Sequence, residues 1–260
     1  MTDTQTLLAA YDAQLRGAPP TAVTHPPDGP LTRIAGPLRA LVTAPRELGL
    51  RGSELDELIA RQRDFFAARG EAVEWRMRGH DTPADLPDRL RAAGFAPGPQ
   101  ETVLAAVVAH TAVHRAEPPL PPGVTLRRVT DDADLLAVAA LQSAVWGVDL
   151  SGLGGDLIAR VAAAPRDTVV LVAEADGVLV SAGWLSVRPG TEFGTLLGGA
   201  TLAGWRGRGI YRALVAARLV LAAAHGIPYL HVDASADSAP LLRGMGFRTL
   251  TKMTPYVWSP

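Results

Sequence analysis

Two hydrophobic periods alternate along the second half of the chain. Apolar Ile210, Leu214, Ala217 and Leu221 recur at the i, i+4, i+7 and i+11 spacing of one helix face. Gly226 and Pro228 mark where that helix must stop. An apolar, glycine-containing strand over Thr195 to Leu202 precedes it, and Tyr229-Leu230-His231-Val232 reads as a strand after it. Pro240 to Met245 is a short helix closed by Gly246-Phe247, and a β-rich run ends the chain at Tyr256-Val257-Trp258. Upstream, Val124 to Val129 reads as a strand, Asp132 to Val145 as a helix, and Val169 to Glu174 and Val178 to Val187 as a hairpin turning at Ala175-Asp176-Gly177.

The first half repeats part of this order. A helix beginning near Glu54 ends at Ala67-Ala68-Arg69-Gly70, as the later one ends at Ala223-Ala224-His225-Gly226. A strand over Ala72 to Arg78 follows, and Leu90-Arg91-Ala92-Ala93-Gly94-Phe95 echoes Leu242-Arg243-Gly244-Met245-Gly246-Phe247. Two readings stand: an internal duplication whose first copy has no glycine phosphate loop, or coincidence in an alanine-rich chain. The proline-rich stretch 115–123 reads as a semi-rigid linker, dividing the chain into 1–114 and 124–260.

The 260 residues are 48% hydrophobic, enough to bury sizeable cores in two domains. No apolar run has the length of a membrane span, and Met1-Thr2-Asp3-Thr4 lacks the basic and apolar regions of a signal peptide, so a cytoplasmic protein without membrane contact is expected. A net charge of −1 offers no footprint for nucleic acid. Zero cysteines exclude disulfides, thiolate metal sites and a cysteine nucleophile. The histidines lack metal-ligand spacing; His110 and His114 share a helix face but have no third ligand nearby, and no metal is expected.

Between strand and helix stands Arg206-Gly207-Arg208-Gly209-Ile210-Tyr211, followed by Arg212. Glycines let the main chain approach a ligand closely, and the first N–H groups of a helix lack internal partners at its positive dipole end. Three arginines at that end call for an anion. A P-loop is excluded because no Gly-Lys-Ser/Thr is present, and a dinucleotide fingerprint because Arg212 stands where the third glycine belongs.

The segment resembles the acetyl-CoA signature of the GCN5-related N-acetyltransferases (GNAT), Arg/Gln-x-x-Gly-x-Gly/Ala between a strand and a long helix. Arg206 and Gly209 match, and Tyr211 departs from the usual small residue. The element order from 124 to 260 is similar to that fold, which implies two α+β domains, each with a mixed, mostly antiparallel sheet flanked by helices, and a splayed cofactor cleft in the C-terminal one. The N-terminal copy is then a degenerate GNAT-like domain. The resemblance implies acetyl-CoA as acyl donor, with the pyrophosphate on the amides of Arg206, Gly207, Arg208, Gly209, Ile210, Tyr211 and Arg212. The pantetheine arm would lie along Ala200, Thr201 and Leu202, one N–H there serving as oxyanion donor. Gly198-Gly199 reads either as the bulge that opens the splay or as a packing point.

Where the family carries a tyrosine acid this chain has Leu242, and where it often has an asparagine, Ser235. Ser238 is the nearest hydroxyl, with Tyr211 and Tyr256 farther, and Ser235 and Ser238 are also counted to the cofactor site. Candidate bases are Glu192, His231 and Asp233. Trp146, leading into the glycine-rich 147–155, reads as acceptor-pocket wall on a lid or as core. Three functions follow: direct acetyl transfer to a primary amine of a small molecule or peptide, a non-catalytic acyl-CoA sensor, or a dimer scaffold; monomer and homodimer stay open.

Overall fold

A computed structural model describes residues 3–17, 22–36, 39–111 and 119–260. The contacts divide the chain into two compact units that are not contiguous in sequence. The first comprises Met1–Leu104, Asp233–Arg243 and Arg248–Pro260; the second comprises Ala105–Val232 and Gly244–Phe247. The last strand, read from sequence with residues 124–260, groups by its contacts with the first unit. The linker's residues up to 118, and His114, lie outside the described residues.

Along the chain the first unit contributes α1 (Thr4–Leu15), β1 (Thr32–Ile34), β2 (Ala40–Thr43), α2 (Gly52–Ala67), β3 (Val73–Arg78), α3 (Leu86–Ala92), β4 (Ala96–Pro97) and the start of β5 (Glu101–Val107). Then come α4 (Val108–Thr111), β6 (Val124–Val129), α5 (Asp132–Trp146), α6 (Ser151–Ala163), β7 (Thr168–Ala175), β8 (Val178–Val187), β9 (Phe193–Thr201), a 3-10 turn (Ala203–Trp205), α7 (Ile210–Ala224), β10 (Tyr229–Ala234), α8 (Ser238–Gly244) and β11 (Arg248–Trp258).

In the first unit β1 pairs antiparallel with β2, β2 parallel with β3, and β3 antiparallel with β11 from Trp258 opposite Val73 to Met253 opposite Arg78. The core beneath is apolar: Leu55, Leu58, Ile59 and Phe66 of α2 close over Val73 and Trp75 of β3, with Tyr256 of β11 buried among them. In the second unit β6, β7, β8 and β9 form an antiparallel meander, and β10 joins β9 in parallel. Alternate residues of β7 and β8, among them Val170, Val172, Ala182 and Trp184, bury against Leu135, Val138 and Leu141 of α5. Asp131 caps α5 by accepting from the Asp134 N–H at 2.9 Å.

The paired landmarks of the two halves have matching geometry. Gly70 ends α2 at φ +66° and Gly226 ends α7 at φ +67°. Each N–H donates three residues back, to Ala67 and to Ala223, both at 3.0 Å. Gly94 and Gly246, after the short helices, are again left-handed at φ +89° and +95°. Only glycine takes such angles without cost, so the sequence echo at these positions reflects one repeated backbone course.

The glycine-rich lid expected after Trp146 is not a loop. Ser151–Ala163 is the helix α6, which buries Leu157 and Val161. Gly154 serves close helix packing: a Cβ there would lie 2.8 Å from Leu136 Cδ2 and 3.4 Å from Ala139 Cβ. The intervening corner is pinned by Ser143, whose hydroxyl accepts from the Leu150 N–H at 3.0 Å and whose carbonyl accepts from Gly147 at 2.9 Å.

Candidate functional site

The anion loop forms as its residues demand. Gly207 and Gly209 adopt φ +75° and +85°, and α7 starts at Ile210 with its first internal bond from Ala213 N–H to Gly209 carbonyl, 3.0 Å. The first-turn amides of Ile210 and Arg212 thus have no helical acceptor. No acidic side chain stands in this first turn, so the helix's own residues leave its positive end to an anion. Arg208 and Arg212 are exposed, Arg208 lying 4.9 Å over the Trp205 ring. The motif arginine does something else: Arg206 Nε donates to the Thr201 carbonyl at 3.0 Å, tying the loop back onto the end of β9. Tyr211 leans over β9, where a Cβ on Gly199 would meet its Cε2 at 2.7 Å. The large side chain at the family's small position is accommodated by that glycine.

β9 pairs with β10 only over Phe193–Thr195 and Tyr229–His231. From Leu196 to Thr201 its edge away from β8 carries no registered partner among the described residues. The two glycines are the bulge. Trp184 pairs with Leu197 and Ala182 with Ala200, so β9 carries an extra residue at Gly198-Gly199, with Gly198 at φ +59°. Downstream the strand is held: the buried Ser181 hydroxyl donates to the Ala200 carbonyl at 2.6 Å and lies 2.7 Å from Thr201 Oγ1, and the Leu202 N–H donates to Val180 at 3.0 Å.

Three side chains at this bulge were not singled out from sequence, or only for another reason. Gln142 on α5 donates its amide to the Gly198 carbonyl, and Trp146 donates its indole N–H to Gln142 Oε1 at 2.9 Å. Trp146 is not core: the residue is 54% exposed at the end of α5. Arg218 on α7 is fully buried, donates to the carbonyl oxygens of Leu214 at 3.0 Å, Leu197 at 3.3 Å and Trp184 at 3.4 Å, and lies within electrostatic reach of Tyr211. Burial without a carboxylate partner brings its guanidinium down to about 10. No period or motif marks an arginine inside an apolar helix stretch as special.

The proton-transfer candidates are scattered. Glu192 is exposed at the closed end of β9, whose nine residues, roughly 30 Å of strand, separate it from the loop. His231 is buried in the last registered pair, opposite Thr195. Asp233, Ser235 and Ser238 group with the first unit. Ser235 and Ser238 face each other at 3.1 Å at the start of α8, and Leu242 is wholly buried core.

Asp233 belongs to a charged cluster that sequence reading missed because its members are far apart in the chain. Arg76 lies 2.8 Å from Glu74 and 3.8 Å from Asp233, and Glu101 stands among them. Burial first, and then the Asp233 charge, push the Glu101 carboxyl up to about 7 against the pull of Arg76. A raised carboxyl stabilises the fold while protonated, so this contribution is present at acid pH and lost as pH rises through about 7. Glu101→Gln is expected to gain stability over the parent by about 1–3 kcal/mol between pH 5 and 8.5, allowing for solvent screening. Urea unfolding at the two pH values checks this; a pH-independent difference would refute it.

The first unit has a related helix start at α2, with Gly49 at φ +73° and Gly52 at +55° beside a cavity of about 260 Å³ lined by Glu47, Leu50, Arg51, Thr82 and Pro83. Glu54 stands in the first turn of α2, at the dipole's positive end, and Glu47 lines the cavity beside it. That charge suits no phosphate. Among the described residues no group of three His, Asp or Glu side chains has metal-site geometry, and no helix is long and apolar enough to cross a membrane.

Residues 140–247 match the model of the acetyltransferase (GNAT) family. No curated protein matches the chain. A GCN5-related N-acetyltransferase from Kribbella flavida is similar in structure, with TM-score 0.67 at 16% identity over 99% of this chain and 94% of that one. One from Sphaerobacter thermophilus gives 0.64 at 16% over 88% and 76%. A tandem GNAT protein from the clavulanic acid biosynthesis pathway gives 0.62 at 18% over 94% and 85%. Residues 140–247, which hold the bulge, the loop and α7, carry the sequence pattern of the acetyltransferase (GNAT) family, and the chain has the fold of GNAT proteins, a tandem one among them.

Proposed function

We propose that this chain is an acyl-CoA-dependent N-acyltransferase that moves an acetyl group from acetyl-CoA directly to a primary amine of a small molecule or peptide. The observation that carries it is the pairing of an α7 N-terminus with no acidic residue in its first turn, flanked by Arg208 and Arg212, with the β9 edge that runs into it from Leu196 to Thr201, which has no registered partner among the described residues. The pyrophosphate is taken by the amides of 207–212 and the pantetheine arm by that edge. The amine nitrogen attacks the thioester carbon, the C–N bond forms, the carbonyl re-forms as the C–S bond breaks, and the thiolate leaves as CoA. The ammonium first gives up one proton to become the attacking amine, the nitrogen gives up a second as the amide forms, and the departing sulfur gains one. His231, at the mouth of the splay, is better placed to accept than Glu192 at its closed end. Tyr211, whose hydroxyl lies 3.5 Å from the Cβ position of Gly199, is the donor that replaces the tyrosine lost at Leu242.

Calorimetric titration with acetyl-CoA tests the binding half. Wild type is expected to bind and an Arg206→Glu/Gly209→Asp double variant not to; a CoA-release screen over amines then tests transfer. Binding without transfer to any amine favours a sensor, and absence of binding leaves the scaffold reading.

A further inference from the structure

The bulge leaves Gly198 and Gly199 without a registered partner on β8, and the two carbonyls that lead into and through it, of Leu197 and Gly198, are gripped by side chains from helices. The Leu197 carbonyl accepts from Arg218 Nη1 at 3.3 Å, and the Gly198 carbonyl accepts from the Gln142 amide. In a planar trans peptide the N–H points opposite to the carbonyl. Fixing the Leu197 oxygen therefore fixes the Gly198 N–H, and fixing the Gly198 oxygen fixes the Gly199 N–H. A carbonyl that accepts a strong hydrogen bond also polarises its own peptide and makes its N–H a better donor, more so in a low-dielectric interior.

Both grips are built rather than incidental. Gln142 is 2% exposed, and its amide cannot turn over because Trp146 Nε1–H already donates to Oε1. Arg218 is 1% exposed and has room only because residue 183 is glycine: a Cβ there would stand 2.8 Å from Nη1 and 3.1 Å from Cζ. Burying a guanidinium against neutral carbonyls, with no carboxylate, costs stability that a leucine there would not. The molecule bears that cost beside the one irregular point of the strand.

We infer that Gln142, held by Trp146, and Arg218, admitted by Gly183, are positioning residues that orient and polarise the Gly198 and Gly199 amides on the edge that receives the acyl end of the cofactor. The inference rests on the acyl-CoA reading above and gives it a division of labour: the loop at 207–212 holds phosphate, whereas the braced bulge holds the thioester end.

Titration with two probes, acetyl-CoA and ADP, separates these. ADP carries the pyrophosphate without pantetheine or acyl group. In Gln142→Met acetyl-CoA affinity is expected to fall roughly tenfold, the loss of one oriented hydrogen bond, with ADP affinity held within about twofold. Gln142→Glu, which still accepts from Trp146 but opposes a carboxylate to the Gly198 carbonyl, is expected to lose more than Gln142→Met despite its closer shape. Trp146→Phe is expected to show a smaller loss of the same selectivity. Gly183→Ala, which crowds Arg218 without deleting it, tests the second brace should Arg218→Met fold poorly. A parallel loss of both probes, or acetyl-CoA affinity unchanged in both Gln142 variants, overturns the inference and leaves the acyl-CoA reading standing. Wild type that binds neither probe overturns both.

Discussion

Gly209→Asp is expected to abolish measurable acetyl-CoA binding, a loss of at least about 100-fold, while leaving the fold in place. Gly209 sits at φ +85° directly before α7, and the nearest atom to an added Cβ is the Pro119 carbonyl oxygen at 3.6 Å, ordinary contact. Aspartate tolerates left-handed angles better than most residues, so the backbone cost is about 1 kcal/mol. Its carboxylate, however, takes the N-cap position and offers its oxygens to the α7 amides that would receive phosphate. An anionic ligand then meets both a filled site and a like charge. Arg206→Ala is expected to behave differently. Because its guanidinium is spent on the Thr201 carbonyl, its removal loosens the loop and costs only about five- to tenfold in affinity, the size of one hydrogen bond. Calorimetry and thermal unfolding on the two variants separate the roles. If Arg206→Ala proves the more damaging, the arginine reaches phosphate after all and the assignment of the anion site to backbone amides is wrong.

That division could not be read from the sequence, which shows an arginine in a motif and not where it points. Local features were legible. The helix periods, the turn at Ala175-Asp176-Gly177 and the Gly198-Gly199 bulge follow from glycine's backbone freedom and from patterning, and the structure has them at β7–β8, α7 and the β9 irregularity. The choice left open at Gly198-Gly199 is decided: the bulge is also a packing point, because Gly198 lies on the Trp184 ring and Gly199 on Tyr211. Long-range consequences were not legible. Gly152, Gly154 and Gly155 read as mobile because glycine is flexible alone, yet Gly154 is a contact surface for Leu136. The grouping of β11 with the first unit depends on a pairing with β3 some 180 residues away in sequence, to which periodicity is blind. Arg218 and Gln142 escaped notice for the same reason, since their partners are carbonyl groups, which no residue type announces.

Gly198→Ala is expected to be the most destabilising single methyl that the bulge region can receive. The residue is at φ +59°, and an added Cβ would interpenetrate the six-membered ring of Trp184, whose side chain is 8% exposed and packed in the α5 core. The left-handed backbone costs alanine about 1 kcal/mol or more, and displacing a packed ring by overfilling costs typically 1–3 kcal/mol, so about 2–4 kcal/mol is expected together. For a unit of this size that corresponds to a drop of roughly 5–15 °C in melting temperature. Gly204→Ala is the control, since its φ is not positive and nothing lies within 4 Å of its Cβ position; it is expected to be neutral. The decisive comparison is the double variant Gly198→Ala/Trp184→Leu, in which a smaller side chain vacates the ring's space. Trp184→Leu alone is destabilising as a large-to-small core change. If ring and methyl compete for one volume, the double variant is more stable than the sum of the two singles predicts, by 1 kcal/mol or more. Strict additivity would mean that β9 relieves the clash by shifting its backbone, and acetyl-CoA affinity should then fall with Gly198→Ala far more than its stability does.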